Sequence, residues 1–132
     1  MQQQAYLTTH SVLYWLIALI AIAIIFIGTR FIVAPRSAAR DFGVPASETE
    51  RLTYLWTKGT RDIVSGLLLA GLLWLKVGSI VIALFLFIAS LIPIGDLLNV
   101  YANVRTRNIP ALIIHGSTAL YMCILAAILL RG

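Results

Sequence analysis

The apolar positions of the chain fall into four long runs, parted by two short polar stretches and one long one. The first run covers about Ser11–Val33 and is almost all Ile, Leu, Ala and Phe. The second is Lys58–Leu75, of which Ile63–Leu75 is strictly apolar. The third is Ser79–Val100 and the fourth Pro110–Leu130. Each reaches or approaches the ~20 residues that cross ~30 Å of hydrocarbon. The runs are continuous, without the alternation of barrel strands. A backbone deprived of water must satisfy its own hydrogen bonds, so all four are predicted as helices. The expected architecture is all-α: a single domain over residues 1–132, a four-transmembrane-helix bundle with helices at about 11–33, 48–75, 79–100 and 110–130.

The long polar segment Ala34–Thr57 carries its own punctuation. Pro35 and Pro45 interrupt it, and Phe42-Gly43-Val44-Pro45 reads as a turn. Ser47 followed by Glu50 is a capping-box pattern and predicts a helix start near Glu48, so the second helix is expected to project beyond the membrane before entering it. Lys76-Val77-Gly78 predicts a tight hairpin between helices two and three, and Asn108-x-Pro110 a capped start for helix four.

Composition agrees with a membrane protein. The 132 residues are 61% hydrophobic and 11% charged, where a soluble domain is roughly 45–50% apolar and 25% charged. Mean hydropathy is +0.97. The single cysteine, Cys123, excludes an internal disulfide and a cysteine-based metal site. Met1–His10 has no Lys or Arg and none of the layout of a signal peptide, so Tyr6–Ile27 is expected to be a permanent span. The net charge of +5 reads as orientation by basic loops rather than as a nucleic-acid footprint. Arg30, Arg36, Arg40, Arg51, Lys58 and Arg61 flank or fill the first connection and Arg105 and Arg107 the third, against Lys76 and Arg131 on the other side. By the positive-inside rule both termini are expected outside, with the long first connection in the cytoplasm of a multi-pass protein of the plasma or bacterial inner membrane.

Five residues inside these runs do not belong in lipid: Arg61, Asp62, Asp96, Asn99 and His115. A charge at mid-membrane costs about 2.5–3.5 kcal/mol on insertion scales, so such groups face a protein interior or a cavity and take partners. Counted at 1.5 Å per residue from the outer end of each helix, Asp62 lies roughly 20 Å deep, Asp96 about 26 Å and His115 about 22 Å. Three helices therefore bring ionisable groups to one level in the inner third of the membrane. Lys58, Arg61, Asp62 and Ser65 share one helical face, as do Asp96 and Asn99. Pro93, three residues before Asp96, frees the carbonyl of Ala89 and predicts a kink that opens a pocket. Gly116 beside His115, Gly66 and Ala70, and Ala119, Cys123 and Ala127 supply small residues for close helix approach. Tyr14, Trp15 and Trp74 read as anchors at the outer interface, and Tyr54, Trp56 and Tyr101 as anchors at the inner one. Tyr121 sits mid-span, where it serves either core packing or a pocket. There is no phosphate loop, His-x-x-x-His pair or serine elbow.

In order along the chain stand Ala34-Pro35-x-x-Ala38-Ala39-x-x-Phe42-Gly43-Val44-Pro45, Lys58-Gly59-x-Arg61-Asp62-x-x-x-Gly66, Pro93-x-Gly95-Asp96 and His115-Gly116. This series resembles domain of unknown function family 4267, small four-helix integral membrane proteins of bacteria and fungi, over nearly the whole chain. The resemblance implies four helices and marks Arg61, Asp62, Asp96 and His115 as motif positions.

Three functions compete. The first is a site for a lipophilic small molecule, with Asp62, Asp96 and His115 as acid/base groups and Lys58, Arg61, Asn99 and Tyr121 binding the ligand, for isomerisation, cyclisation or epoxide opening. The second is proton-coupled transport; against it, no inverted repeat is visible and helix one carries no carboxylate. The third is an accessory subunit whose cluster is a set of interhelical pairs, with Lys58 and Arg61 free to snorkel. Expected partners are the bilayer and a lipophile, not nucleic acid, and a bundle this thin is expected to self-associate. No cofactor and no metal is expected.

Overall fold

The computed structural model describes residues 7–103 and 108–132. Arg105 and Arg107, the basic pair expected in the third connection, lie outside the described residues. The described chain is helical: α1 (Val12–Val33), α2 (Pro35–Phe42), α3 (Thr53–Trp74), α4 (Ser79–Ala89), α5 (Leu91–Asn103) and α6 (Ile109–Arg131). Three stretches are long and apolar enough to cross a membrane: Val12–Val33, Ser79–Ala102 and Ile109–Arg131. The second of these is α4 and α5 taken together.

The helices form two close pairs. α1 lies antiparallel along α3, and α6 packs on α4 and α5. The α1–α3 contact is made backbone to backbone. A Cβ at Gly28 would stand 2.6 Å from the Gly59 carbonyl oxygen, a Cβ at Gly59 would stand 2.7 Å from that of Gly28, and one at Gly66 would meet Ile25 and the Ala21 carbonyl. Small residues at such a crossing let van der Waals packing act where lipid supplies no hydrophobic drive between helices. The buried positions of α3 (Leu55, Gly59, Asp62, Gly66, Leu69 and Leu73) follow a three- and four-residue spacing, so Asp62 occupies a slot in an otherwise apolar stripe.

The two pairs meet through side chains. Ile17, Ile20, Leu69, Ile82, Leu86, Met122 and Leu125 close the end of the bundle nearer Trp15 and Trp74. A second, smaller cluster of Phe31, Ala38, Ala39 and Leu55 seats α2 against α1 and α3. Leu19, Ile22 and Phe26 on α1, and Leu120, Ile124 and Ile128 on α6, are exposed, as side chains facing lipid would be.

Several boundaries differ from the sequence expectation. The Ser47–Glu50 box closes, with the Ser47 N–H donating to Glu50 at 3.0 Å, but it stabilises an isolated turn, and α3 begins at Thr53 rather than near Glu48. Pro35 opens a helix instead of breaking one: it stands in the first turn of α2, where a missing N–H costs nothing. Gly43 closes α2 at φ +105°, its N–H reaching Arg40 at 3.1 Å while the Val44 N–H reaches Ala39 at 3.1 Å. Lys76 does the same for α3 at φ 51°, without glycine's freedom. The third run divides at Ser90, one turn before Pro93. Ser90 is buried, and its hydroxyl donates to the Phe87 carbonyl at 2.6 Å. On α6 the stripe Ala119–Cys123–Ala127 leaves the interface. Four-residue steps drift by about 40° each on a 3.6-residue helix, so Ala119 is buried and Ala127 exposed, and Met122 and Ala126 take the inner face.

Candidate functional site

Lys58, in the second turn of α3, projects between two acids. Its Nζ donates to Asp62 Oδ2 at 2.8 Å and to Asp96 Oδ2, on α5, at 3.4 Å. Arg61 covers Asp62 from the other side, with Nε at 3.1 Å and a terminal nitrogen at 3.0 Å from Oδ1. The distance from Arg61 to Asp96 Oδ1 is 4.0 Å. The closer bridge between helices is therefore made by Lys58, with Arg61 paired to Asp96 only at the limit of ion-pair distance. Asp62 is 6% exposed and accepts three charge-assisted bonds, which is what a carboxylate at this depth needs. Four formal charges cancel within one cluster.

Phe42, the last residue of α2, ties this cluster to α6. Lys58 Nζ stands 4.6 Å from the centre of its ring and 4.9 Å from that of Phe31, within cation–π range. The His115 ring packs edge-on against Phe42, with centroids 4.5 Å apart, and His115 Nε2 lies 3.0 Å from the Phe42 carbonyl oxygen. The sequence reading missed Phe31 and Phe42 as site residues. The signal was present, because a proline and a glycine bracket eight residues at Pro35 and Gly43, the signature of a short helix with Phe42 at its end.

Beside the cluster lies a cavity of about 110 Å³. Lys58, Asp62, Asp96 and His115 form its polar end, and Ile24, Phe85, Ala89, Ile92, Pro93 and Met122 are among its apolar walls. Ala89 and Pro93 flank the Ser90 division, so the break in the third run borders this space. A second cavity of about 190 Å³ lies under α2, lined by Arg30, Phe31, Ala38, Asp41 and Ala111 among others. Ile27, Phe42, Ile114 and His115 line both, so Phe42 and His115 stand at the partition. At the second cavity Arg30 donates to Asp41 at 2.7 Å. That bond holds the Asp41 carboxyl below the usual carboxylate range.

Of the residues expected at the site, Lys58, Arg61, Asp62, Asp96 and His115 come together. Asn99 is exposed and lines neither cavity. Tyr121 also lines neither: its hydroxyl donates to the Leu16 carbonyl at 3.1 Å, tying α6 to α1 nearer the other end. Among the described residues no group of three or more His, Cys, Asp and Glu is placed to hold a metal ion.

An all-helical chain with three membrane-length apolar helices and lipid-facing side chains around them is a membrane protein. It belongs to the family described as Domain of unknown function (DUF4267), whose model matches residues 21–129. Comparison with curated proteins and with solved structures finds no match.

Proposed function

We propose that this chain is a multi-pass membrane protein that binds a lipophilic small molecule in the 110 Å³ cavity and acts on it by acid/base chemistry. α3 serves as a fourth span. It is 22 residues long, runs beside α1, exposes Val64, Leu67 and Leu68, and turns its acid inward. The basic residues then place the Lys58 end at the cytoplasm and both termini outside. A C-terminal reporter active only in the cytosol stays dark on this reading, and a lit reporter contradicts the orientation.

The observation that carries the binding reading is the coincidence of an apolar cavity with the charged cluster. Asp96 on α5 and His115 on α6 line the cavity from different helices and are the pair suited to exchange a proton with a bound molecule. Lys58 holds both acids in place. Native mass spectrometry of the purified protein, wild type against Asp96→Asn, tests it. The expected result is a small lipophile that travels with the wild type and is lost from a variant with an unchanged melting temperature. Equal occupancy in both, or an empty wild type, overturns it.

A second reading is favoured by the mutual pairing of Lys58, Arg61, Asp62 and Asp96: the cluster holds α3 to α5, and the protein is an accessory subunit. In that case Asp96→Asn lowers the melting temperature and leaves small-molecule binding untouched.

A further inference from the structure

The donors around the first cavity are already engaged. Lys58 Nζ serves Asp62 and Asp96 and faces two aromatic rings. The Ser65 hydroxyl donates to the Arg61 carbonyl at 2.8 Å, and the Thr118 hydroxyl to that of Ile114 at 2.8 Å. His115 Nε2 lies 3.0 Å from a carbonyl oxygen, which only accepts, so Nε2 carries a proton; in the uncharged form of that tautomer Nδ1 is an acceptor. Asp96 Oδ1 is 4.0 Å from the Arg61 terminal nitrogen, beyond hydrogen-bond reach. Among the described residues no buried side-chain nitrogen or oxygen lacks a partner. Asp96 and His115 both line the cavity, so the Asp96 carboxylate and His115 Nδ1 are the acceptors they can offer it.

From this we infer that the cavity takes an uncharged lipophile ending in a hydroxyl group, whose O–H donates to Asp96 or to His115 Nδ1. This deepens the proposed function and rests on it. A ketone, ether or carboxylate would set acceptor against acceptor. An ammonium would satisfy the acceptors but add a net charge to a cluster whose formal charges cancel, at a depth where unpaired charge is costly. The volume, about 110 Å³, is of the order of the ~150 Å³ cavity that admits benzene, so the recognised part is a single ring or a chain of a few carbons.

The test uses wild-type protein in nanodiscs with ¹⁵N-labelled histidine and ¹³C-labelled aspartate, titrated with phenol, toluene, anisole, benzoate and benzylamine. His115 is expected as the Nε2–H tautomer before addition. Phenol is expected to shift its Nδ1 signal or that of the Asp96 carboxylate, and to bind at least about tenfold more tightly than toluene or anisole, as a hydrogen bond to a charged or aligned acceptor provides. A smaller preference, tighter binding of benzoate or benzylamine, or an Nδ1–H tautomer overturns the hydroxyl inference while leaving a lipophile site standing. Saturable binding of none of the five overturns both.

Discussion

Near Trp15 and Trp74, side chains from α1, α3, α4 and α6 close on one another, and a polar contact there is the Tyr121 hydroxyl on the Leu16 carbonyl. Toward Lys58 the bundle carries the cluster of Lys58, Arg61, Asp62 and Asp96, the Arg30–Asp41 pair, an imidazole and two cavities of about 110 and 190 Å³. The contrast shows that these helices pack without charges where packing is all that is required. On the proposed reading, the charges at the Lys58 end serve an occupant of the apolar space beside them. The same contrast separates two kinds of closeness: α1 meets α3 through glycines, while α5 meets α3 through a lysine.

The largest effect is expected at Lys58. Lys58→Met leaves Asp62 and Asp96 as neighbouring acids with one half-exposed arginine, and breaking a buried pair this way costs about 3–5 kcal/mol. Thermal unfolding in detergent measures it, and a loss below about 1 kcal/mol would mean that the cluster is solvated like a surface pair. Next is the glycine crossing. Gly59→Val puts a branched side chain against the Gly28 carbonyl and is expected to cost about 3 kcal/mol, the upper end for overpacking, because the obstructing atom is backbone. An unchanged melting temperature would show that α1 and α3 stand further apart than described.

Asp41 gives a smaller, pH-dependent effect. Its folded-state pKa is lowered, by the Arg30 hydrogen bond first, so its contribution is present above the unfolded value of about 3.9 and is lost as pH falls through the folded value. Melting temperatures taken downward from pH 6 are expected to show an acid-side loss that Asp41→Asn reduces; parallel curves would contradict the pairing. The smallest effect is a gain. Lys76→Gly relieves a non-glycine residue at φ 51° and is expected to stabilise by about 0.5–1 kcal/mol, read from the same melts.

The three membrane-length helices were legible because continuous apolar runs follow directly from the bilayer's thickness. The polar cluster was legible because charges in such runs are costly and depth can be counted along a helix. Helix α2 was hidden because three of its eight residues are Arg or Asp in alternation with small ones, which reads as linker, and with it went the roles of Phe42 and its carbonyl. Lys58 was placed on the right face, but its part as the bridge to Asp96 was not foreseen, since side-chain reach does not follow from spacing. Gly28 escaped notice because one glycine in an apolar helix becomes significant only when Gly59 faces it.

Whether the charges serve a ligand rather than the bundle is decided by the variant Lys58→Met/Arg61→Met/Asp62→Leu/Asp96→Leu. Buried ion pairs replaced together by apolar residues of similar volume are often neutral or stabilising. A melting temperature at or above that of the wild type is expected, with the ring alcohol phenol bound more weakly than by the wild type. A collapsed melting temperature with phenol binding intact in the folded fraction would contradict it.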